Sequence, residues 1–208
     1  MESNALRLLR EDYFLNEDVL FLAQDLIGKI LLTELDGGVT SGRIVETEAY
    51  RAPEDRASHA YGNKRTDRTV TMFLSGGHSY VYLCYGIHSL FNIVTGKEGT
   101  PHAVLIRAIE PIMGIDIMKS RRAGVLQEFQ LTRGPGSLAL ALGINRSHNA
   151  RKLFEQHSPV RMYDGIGTEE NFQIKSSKRI GVDSAGESAE WPWRFYIQGN
   201  PCVSGKNK

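Results

Sequence analysis

The chain has few cysteines, no long apolar run and almost no net charge. Its two cysteines, Cys84 and Cys202, lie far apart without a C-x-x-C pattern, which argues against a disulfide framework and a structural zinc site. No apolar stretch approaches the roughly 20 residues that span a bilayer. Acidic residues near the start, Glu2 and Glu11, do not fit the basic-then-apolar layout of a secretory signal. We therefore expect a soluble, intracellular protein without a membrane partner.

An apolar fraction of 41% in 208 residues is enough for one hydrophobic core, and we predict one domain over residues 1–208. Apolar residues recur at helical spacing from Asp18 to Leu31, which predicts a core-facing helix. Short runs rich in Val, Ile, Tyr and Phe predict strands at 43–50, 79–85, 90–95, 103–109 and 193–198. These patterns predict an α/β (α+β) fold with a mostly antiparallel sheet.

Proline and glycine mark further elements. Pro111 is predicted to open a helix that continues from Met113 to Arg122 and carries cations outward. A short helix is predicted from Ser137 to Leu142, closed by Gly143. Residues 164–190, rich in Gly, Ser and Glu, are predicted to be an irregular surface segment.

The net charge of +1 hides an uneven distribution. Residues 1–60 contain 6 Lys and Arg against 12 Asp and Glu, whereas residues 61–208 contain 19 against 12. Seven cations occur between positions 119 and 152, against the single acid Glu128: Lys119, Arg121, Arg122, Arg133, Arg146, Arg151 and Lys152. If they share a face they form a surface for a polyanion, and if they do not they are solvated side chains without a ligand.

The segment Glu46-Thr47-Glu48-Ala49-Tyr50, with His59 nine residues later, is the most informative part of the sequence. In a strand, Glu46, Glu48 and Tyr50 share one face. A carboxylate shielded from water is a candidate general base, and an aromatic beside it can stack on a planar ring. This pattern suggests chemistry on a nucleobase, although exposed glutamates beside a tyrosine at the core margin would give the same pattern.

A second aromatic group lies at Tyr80 and Tyr82, which share one face of a predicted strand. The strand leads into a predicted hairpin tip, Tyr85-Gly86-Ile87-His88. Proteins that open duplex DNA insert aromatic or apolar side chains between base steps. The tip could be such a wedge, or it could fold back onto its own domain.

Several short motifs occur in a fixed order along the chain. They are Glu48-Ala49-Tyr50, Ala57-Ser58-His59-Ala60, Met72-Phe73, Tyr80-Val81-Tyr82, Tyr85-Gly86, Asn92, Arg107-Ala108, Glu110-Pro111, Gly134-Pro135 and Arg179-Ile180-Gly181. From about residue 14 to about residue 203 the chain resembles the alkyladenine (3-methyladenine) DNA glycosylase family. The resemblance implies one compact domain with a curved antiparallel sheet, surrounding helices and a protruding β-hairpin, and it implies no metal and no cofactor.

The resemblance also implies a reaction. A damaged purine, whether alkylated, deaminated or an etheno derivative, is flipped out of duplex DNA and its N-glycosidic bond is hydrolysed, leaving an abasic site. Glu48 would activate the water, which Arg107 and the backbone carbonyl of Ile180 would help to hold. Because we find no lysine positioned for a Schiff base, we expect a monofunctional glycosylase without lyase activity.

The same resemblance assigns binding roles. Tyr50 and Tyr82 would stack on the two faces of the extruded base. His59, supported by Tyr80, would read the edge of the base. Asn92 would reject normal guanine by a clash with its 2-amino group.

Contacts to the rest of the duplex are implied as well. Tyr85 would fill the gap left by the base, flanked by Ile87 and His88. Backbone phosphates would be bound by Arg68, Lys119, Arg121, Arg122 and Arg133. We expect a monomer bound to double-stranded DNA that contains damaged purines, in the cytoplasm or nucleoid of a bacterium or the nucleus of a eukaryote.

The chain departs from the family pattern at two places. Residues 64–69 lack the Pro and Asn of the usual Arg-Thr-Pro-Arg-Asn, having Asp67 and Thr69 instead. Ser137 stands where the family commonly has Lys, which removes one phosphate contact and predicts a slightly shallower salt dependence of DNA binding.

Two other functions fit part of the sequence. A metal-dependent hydrolase could use Glu46, Glu48, His59, His78, His88 and His102, but the sequence has no H-x-x-x-H or H-x-x-E-H spacing. A catalytically inactive lesion-binding protein would keep Tyr50, Tyr82 and Tyr85 but would not need Glu48. The presence of Glu48 argues against the second alternative.

Overall fold

The computed structural model describes residues 6–165 and 173–205. The α-helices in these ranges are α1 (Glu11–Phe14), α2 (Val19–Asp25), α3 (Ile115–Arg121) and α4 (Pro135–Leu142). The strands are β1 (Ile30–Leu35), β2 (Gly38–Arg51), β3 (Ser79–Cys84), β4 (His88–Thr95), β5 (His102–Met113), β6 (Val160–Tyr163), β7 (Ile174–Ser177) and β8 (Arg194–Ile197). Short 3₁₀ helices lie at Tyr61–Asn63, Val70–Phe73, Glu128–Gln130, Arg146–His148 and Asp183–Glu190.

The strands form one open sheet in the order β3-β4-β5-β2-β1-β6, with β8 paired to β2 and β7 paired to β8. Each of these pairs is antiparallel. The first half of β2 pairs with β1, and its segment Glu46–Glu48 pairs with β8. The predicted single-domain α+β fold with a mostly antiparallel sheet is therefore confirmed, and the Glu46–Tyr50 segment lies at its centre.

The two faces of β2 have different environments, as the alternating pattern predicts. The Thr47 hydroxyl donates to the Ala23 carbonyl of α2 at 2.6 Å, and Ala49 is part of the apolar core. On the opposite face Glu46 and Glu48 both contact Arg107 of β5. The charged residues are thus kept on one side of the sheet and the apolar core on the other.

The predicted helix over Asp18–Leu31 is wrong at its C-terminal end. Asp18 does cap α2, since its carboxylate accepts from the backbone N–H groups of Leu20 and Phe21. The helix ends at Asp25, and Gly28 adopts a left-handed φ of 90° while its N–H donates to the Ile44 carbonyl. Ile30 begins β1, so the segment Asp18–Leu31 contains a helix, a turn and the start of a strand.

The helix predicted to open at Pro111 is also wrong there. Pro111 lies inside β5, opposite Gly42, where a register shift disrupts the ladder and makes a residue without an N–H tolerable. Helix α3 begins only at Ile115, after Gly114. Gly114 has a φ of 73°, and a Cβ at this position would lie 2.2 Å from the Val39 carbonyl oxygen, so only glycine fits this corner.

The predicted helix before Gly143 is confirmed, although α4 starts two residues earlier, at Pro135. The predicted irregular segment 164–190 is wrong in part, because it contains β7 and the 3₁₀ helix Asp183–Glu190. Residues 166–172 of that prediction lie outside the described residues.

Both cysteines are free thiols: Cys202 is buried, whereas Cys84 is only partly buried. No helix in the described part of the chain has the length and apolar character to cross a bilayer.

Candidate active site

A cavity of about 710 Å³ opens beside the central strands, within the size range of small-molecule sites. Its wall contains the side chains of Tyr50, His59, Arg68, Tyr80, Tyr82, Asn92 and Arg107 and the main-chain segments 134–137 and 180–182. The fold thus brings the residues predicted to bind a base into one cavity, from segments widely separated in sequence. Tyr85 and His88 lie at its margin.

Glu48 lies directly behind this wall, with no exposed surface. Its Oε1 accepts from the backbone N–H of Ile180 at 2.7 Å and lies 3.2 Å from Nη1 of Arg107. Its Oε2 accepts from the Tyr50 hydroxyl at 2.8 Å. All three partners line the cavity, so the carboxylate lies behind groups that form part of the cavity wall.

Arg107 is held between two carboxylates. Its Nε donates to Oε1 of Glu46 at 2.9 Å, and its Nη2 donates to the Ser204 hydroxyl at 3.1 Å. Burial lowers the pKa of Arg107, but Glu48 and Glu46 outweigh burial and hold the pKa above its usual value. A permanent, rigidly positioned cation therefore lies beside Glu48.

Glu46 accepts four hydrogen bonds from three residues. Besides Arg107, its carboxylate accepts from Arg194 Nε at 2.6 Å, from the Ser204 N–H at 2.6 Å and from the Ser204 hydroxyl at 2.9 Å. Glu46 is fully buried, and its contacts fix the C-terminal segment beneath the cavity. The alternative that these glutamates face solvent is wrong.

Arg179 supports the back of Tyr50. Its buried guanidinium forms a bidentate ion pair with Asp55 and lies 4.8 Å from the centre of the Tyr50 ring. Burial, followed by the charge of Glu48, raises the pKa of Tyr50 well above its usual value, so the Tyr50 hydroxyl remains a donor. Arg179 belongs to one of the motifs that carry the family resemblance, but the sequence assigned it no role.

His59 is linked to three cavity side chains. Its Nδ1 lies 2.9 Å from the Tyr80 hydroxyl, its Nε2 lies 3.1 Å from Nη2 of Arg68, and its ring meets the Tyr82 ring edge-on at 4.6 Å. Because a guanidinium can only donate, Nε2 accepts, and the ring proton lies on Nδ1. Burial, aided by Arg68, lowers the pKa of His59 to about 4, so the imidazole is neutral at neutral pH.

Asn92 is buried on β4, opposite Tyr80 in the register of the hairpin. Its side-chain amide donates to the Tyr80 carbonyl at 3.0 Å. The amide is therefore held in a fixed orientation in the cavity wall.

The hairpin tip extends into solvent instead of folding back. Tyr85 is 92% exposed and Ile87 is 74% exposed, and His88 is exposed beside them. The Ile87 N–H donates to the Cys84 carbonyl, and both Tyr85 and Gly86 have positive φ, which a type I′ turn requires. Asn or Gly suits such a position better than Tyr, so the turn does not explain why Tyr85 is there.

The predicted phosphate-binding cations have different surroundings. Arg121 donates to the carbonyls of Ala141 and Leu35, and Arg133 donates to the carbonyls of Val203 and Gly205. Lys119 pairs with Glu128. These side chains tie elements together and do not line the cavity, whereas Arg68 does.

The structure shows the contacts of Thr69 and the position of Ser137, which belong to the two departures from the family pattern. Thr69 is buried, and its hydroxyl donates to the Lys64 carbonyl and accepts from the Thr66 N–H, so it closes the loop at 64–69. Ser137 lies in the first turn of α4, in the cavity wall.

Within residues 6–165 and 173–205, no group of three or more His, Cys, Asp or Glu side chains is arranged to hold a metal ion. Three of the six side chains that such a hydrolase could use are engaged by arginines. Glu46 and Glu48 are bound by arginine side chains, and Nε2 of His59 is bound by Arg68.

The fold and the cavity together define a class of protein: an α+β domain that can hold a planar aromatic group above a buried carboxylate and an arginine. The model of the methylpurine-DNA glycosylase (MPG) family matches residues 13–201. The chain is 46% identical over 191 residues to a protein of Chlamydia felis, covering 91% of this chain and 96% of the relative. It is 44% identical over 206 residues to a protein of Clostridium acetobutylicum, covering 96% and 98%.

Both relatives bear the name "Putative 3-methyladenine DNA glycosylase". The chain belongs to the methylpurine-DNA glycosylase family. Membership supports a DNA glycosylase of the 3-methyladenine type that acts on DNA.

Proposed function

We propose that this protein flips a damaged purine out of duplex DNA and hydrolyses its N-glycosidic bond with a water activated by Glu48. The observation that supports this most strongly is the buried Glu48 carboxylate, held by donors that themselves line an aromatic cavity. Alkylated, deaminated and etheno purines are the proposed substrates. An abasic site is the proposed product.

In the proposed reaction the bond between C1′ and the purine nitrogen breaks, and its electron pair leaves with the base. A water oxygen bonds to C1′, and the proton of that water passes to Glu48. The negative carboxylate also offsets the positive charge that develops on the sugar. One carboxylate is sufficient for an alkylated purine, because such a base is already a good leaving group.

The hydrogen bonds of Glu48 leave room for this water. A carboxylate has about four lone-pair directions, and the hydrogen bonds from Ile180 and Tyr50 use two of them, while Arg107 is an ion-pair partner at 3.2 Å. Ile180 is 41% exposed, so solvent can reach this part of the wall. We place the water there, held by Arg107 and the Ile180 carbonyl.

The extruded base would lie between Tyr50 and Tyr82. Arg179 beneath Tyr50 and the Tyr80–Tyr82 ring pair, 5.4 Å apart, keep both rings in place without the ligand, which reduces the ordering required on binding. Neutral His59 would meet the edge of the base. Asn92, with its amide fixed by Tyr80, would exclude the 2-amino group of guanine.

Tyr85 and Ile87 would enter the duplex as the base leaves it. These two side chains are mostly exposed among residues 6–165 and 173–205 of the free protein, so little of their apolar surface is packed there. Inserted between base steps, these side chains would offset part of the unstacking free energy. His88 would flank them.

The test uses duplexes that contain hypoxanthine or 1,N6-ethenoadenine, with an undamaged duplex of the same sequence as control. Each is incubated with the protein in EDTA and treated with hot alkali, which breaks the strand at abasic sites. We expect cleavage only in the lesion duplexes and only after alkali, because the proposed enzyme has no lyase step. Absence of lesion-dependent cleavage would overturn the proposal, and activity that EDTA removes would favour the metal-dependent alternative.

A further inference from the structure

The side chain of Arg68 lies inside the cavity in the free protein. Its guanidinium carbon is 4.9 Å from the centre of the Tyr82 ring, and its Nη2 is 3.1 Å from Nε2 of His59. These are the two side chains that, under the proposed function, would receive the face and the edge of the extruded base. The cation is therefore already in contact with two of the side chains that the base would meet.

The backbone beneath Arg68 is fixed while its side chain is held only by neutral groups. The neighbouring Thr69 is buried and bonded to Lys64 and Thr66. In the described part of the chain, no carboxylate lies within ion-pair distance of Arg68, whose partners are the Tyr82 ring, the neutral His59 imidazole and the Tyr80 hydroxyl. A guanidinium held by such partners can be replaced by another planar group without leaving a buried charge unpaired.

We propose that Arg68 occupies the base site in the free protein and must leave it when a base enters. This inference rests on the proposed function, since it takes Tyr82 and His59 as the base-binding surface. A base that enters has to break the contact of Arg68 with Tyr82 and its hydrogen bond to His59. The displaced cation then becomes available to a phosphate of the bound strand, and any base that stacks too weakly to displace it is rejected.

The direct test compares wild-type protein with Arg68→Ala. Calorimetric titration with the free base 1,N6-ethenoadenine should show about tenfold tighter binding to the variant, because nothing has to be displaced. For binding of the variant to a duplex that contains the same lesion, the slope of log K against log salt should be shallower by about 0.9, because one phosphate contact is absent. If Arg68 only supported the fold, its removal would not be expected to strengthen binding of the free base while it removes a phosphate contact to the duplex.

Arg65→Ala is the matched control. Arg65 lies in the same loop, but its guanidinium is over Phe73, outside the cavity wall, so free-base affinity should not change. Equal or weaker binding of the free base to Arg68→Ala, or no binding of it to either protein, would overturn the proposal.

Arg68→Gln, which keeps polar length without charge, should also bind the free base more tightly, and failure to do so in a folded variant would count against displacement. Failure of the proposed function is read separately, from the alkali assay with wild-type protein.

Discussion

The buried cluster around Glu46 and Glu48 and the hairpin tip at Tyr85 are opposite in almost every physical respect. In the cluster, two carboxylates without exposed surface share Arg107 and are surrounded by fixed donors. At the tip, Tyr85 and Ile87 are mostly exposed, and Tyr85 has a left-handed φ of 51°. The cluster makes its contacts within the free protein, whereas the tip is left largely unpacked by the part of the chain that the structure describes.

This difference separates two tasks. Groups that stabilise developing charge work best when they are positioned before the reaction, because reorganisation then costs nothing at the reacting step. Groups that enter a duplex have to be exposed beforehand, since their partner is the DNA. We therefore expect changes in the cluster to affect folding and bond cleavage, and changes at the tip to affect lesion capture.

The largest effect on stability is expected for Glu46→Gln. The substitution keeps the shape but removes the charge that pairs with Arg107 and Arg194, and breaking such a buried pair costs about 3–5 kcal/mol. Urea unfolding should show a loss of about 3 kcal/mol in the free energy of unfolding.

Glu34→Gln is the matched control for that prediction, because Glu34 is mostly exposed and pairs with Arg161 at the surface. Its loss should be within about 1 kcal/mol. Equal losses for the two variants would remove the distinction between the cluster and an ordinary surface ion pair.

An intermediate effect is expected for Tyr85→Ser. The exposed ring contributes nothing to the folded core, so stability should not change, while affinity for an ethenoadenine duplex should fall about tenfold because the gap in the stack is left unfilled. Fluorescence anisotropy measures this affinity. Leu126→Ser removes an equally exposed apolar side chain outside the hairpin and should leave affinity unchanged; a similar loss in both variants would argue against a specific wedge.

The smallest effect is expected for Ser137→Lys. A lysine in the first turn of α4 restores the cation that the family commonly has, and one added phosphate contact should make the slope of log K against log salt steeper by about 0.9. Lesion affinity measured at several salt concentrations gives this slope. An unchanged slope would mean that position 137 does not face the DNA backbone.

The sequence was sufficient where the relevant pattern is local. Alternation along β2 placed Glu46 and Glu48 on one face, and the spacing of Tyr80 and Tyr82 predicted their shared face. The order of short motifs identified the family and hence the fold. Each of these signals depends on residues that are near each other in the chain or on motifs in a fixed order.

The sequence was insufficient where distant segments meet. Glu46 is bonded to Arg194 and Ser204, which are 148 and 158 residues away, and no local pattern records that contact. Arg121 and Arg133, which are proposed to bind phosphates, also bond backbone carbonyls 20 and 70 residues away. The end of α2 was misplaced because an apolar run cannot distinguish a buried helix from a buried strand.

The most direct test of the central claim measures base release and lesion affinity together for Glu48→Gln on one ethenoadenine duplex. Glu54→Gln, which changes an exposed glutamate outside the cavity, is the control. We expect Glu48→Gln to lose base release by at least about a thousandfold while its lesion affinity stays close to that of the wild type and of the control. A loss of affinity as large as the loss of release, or release that persists without the carboxylate, would contradict the role assigned to Glu48.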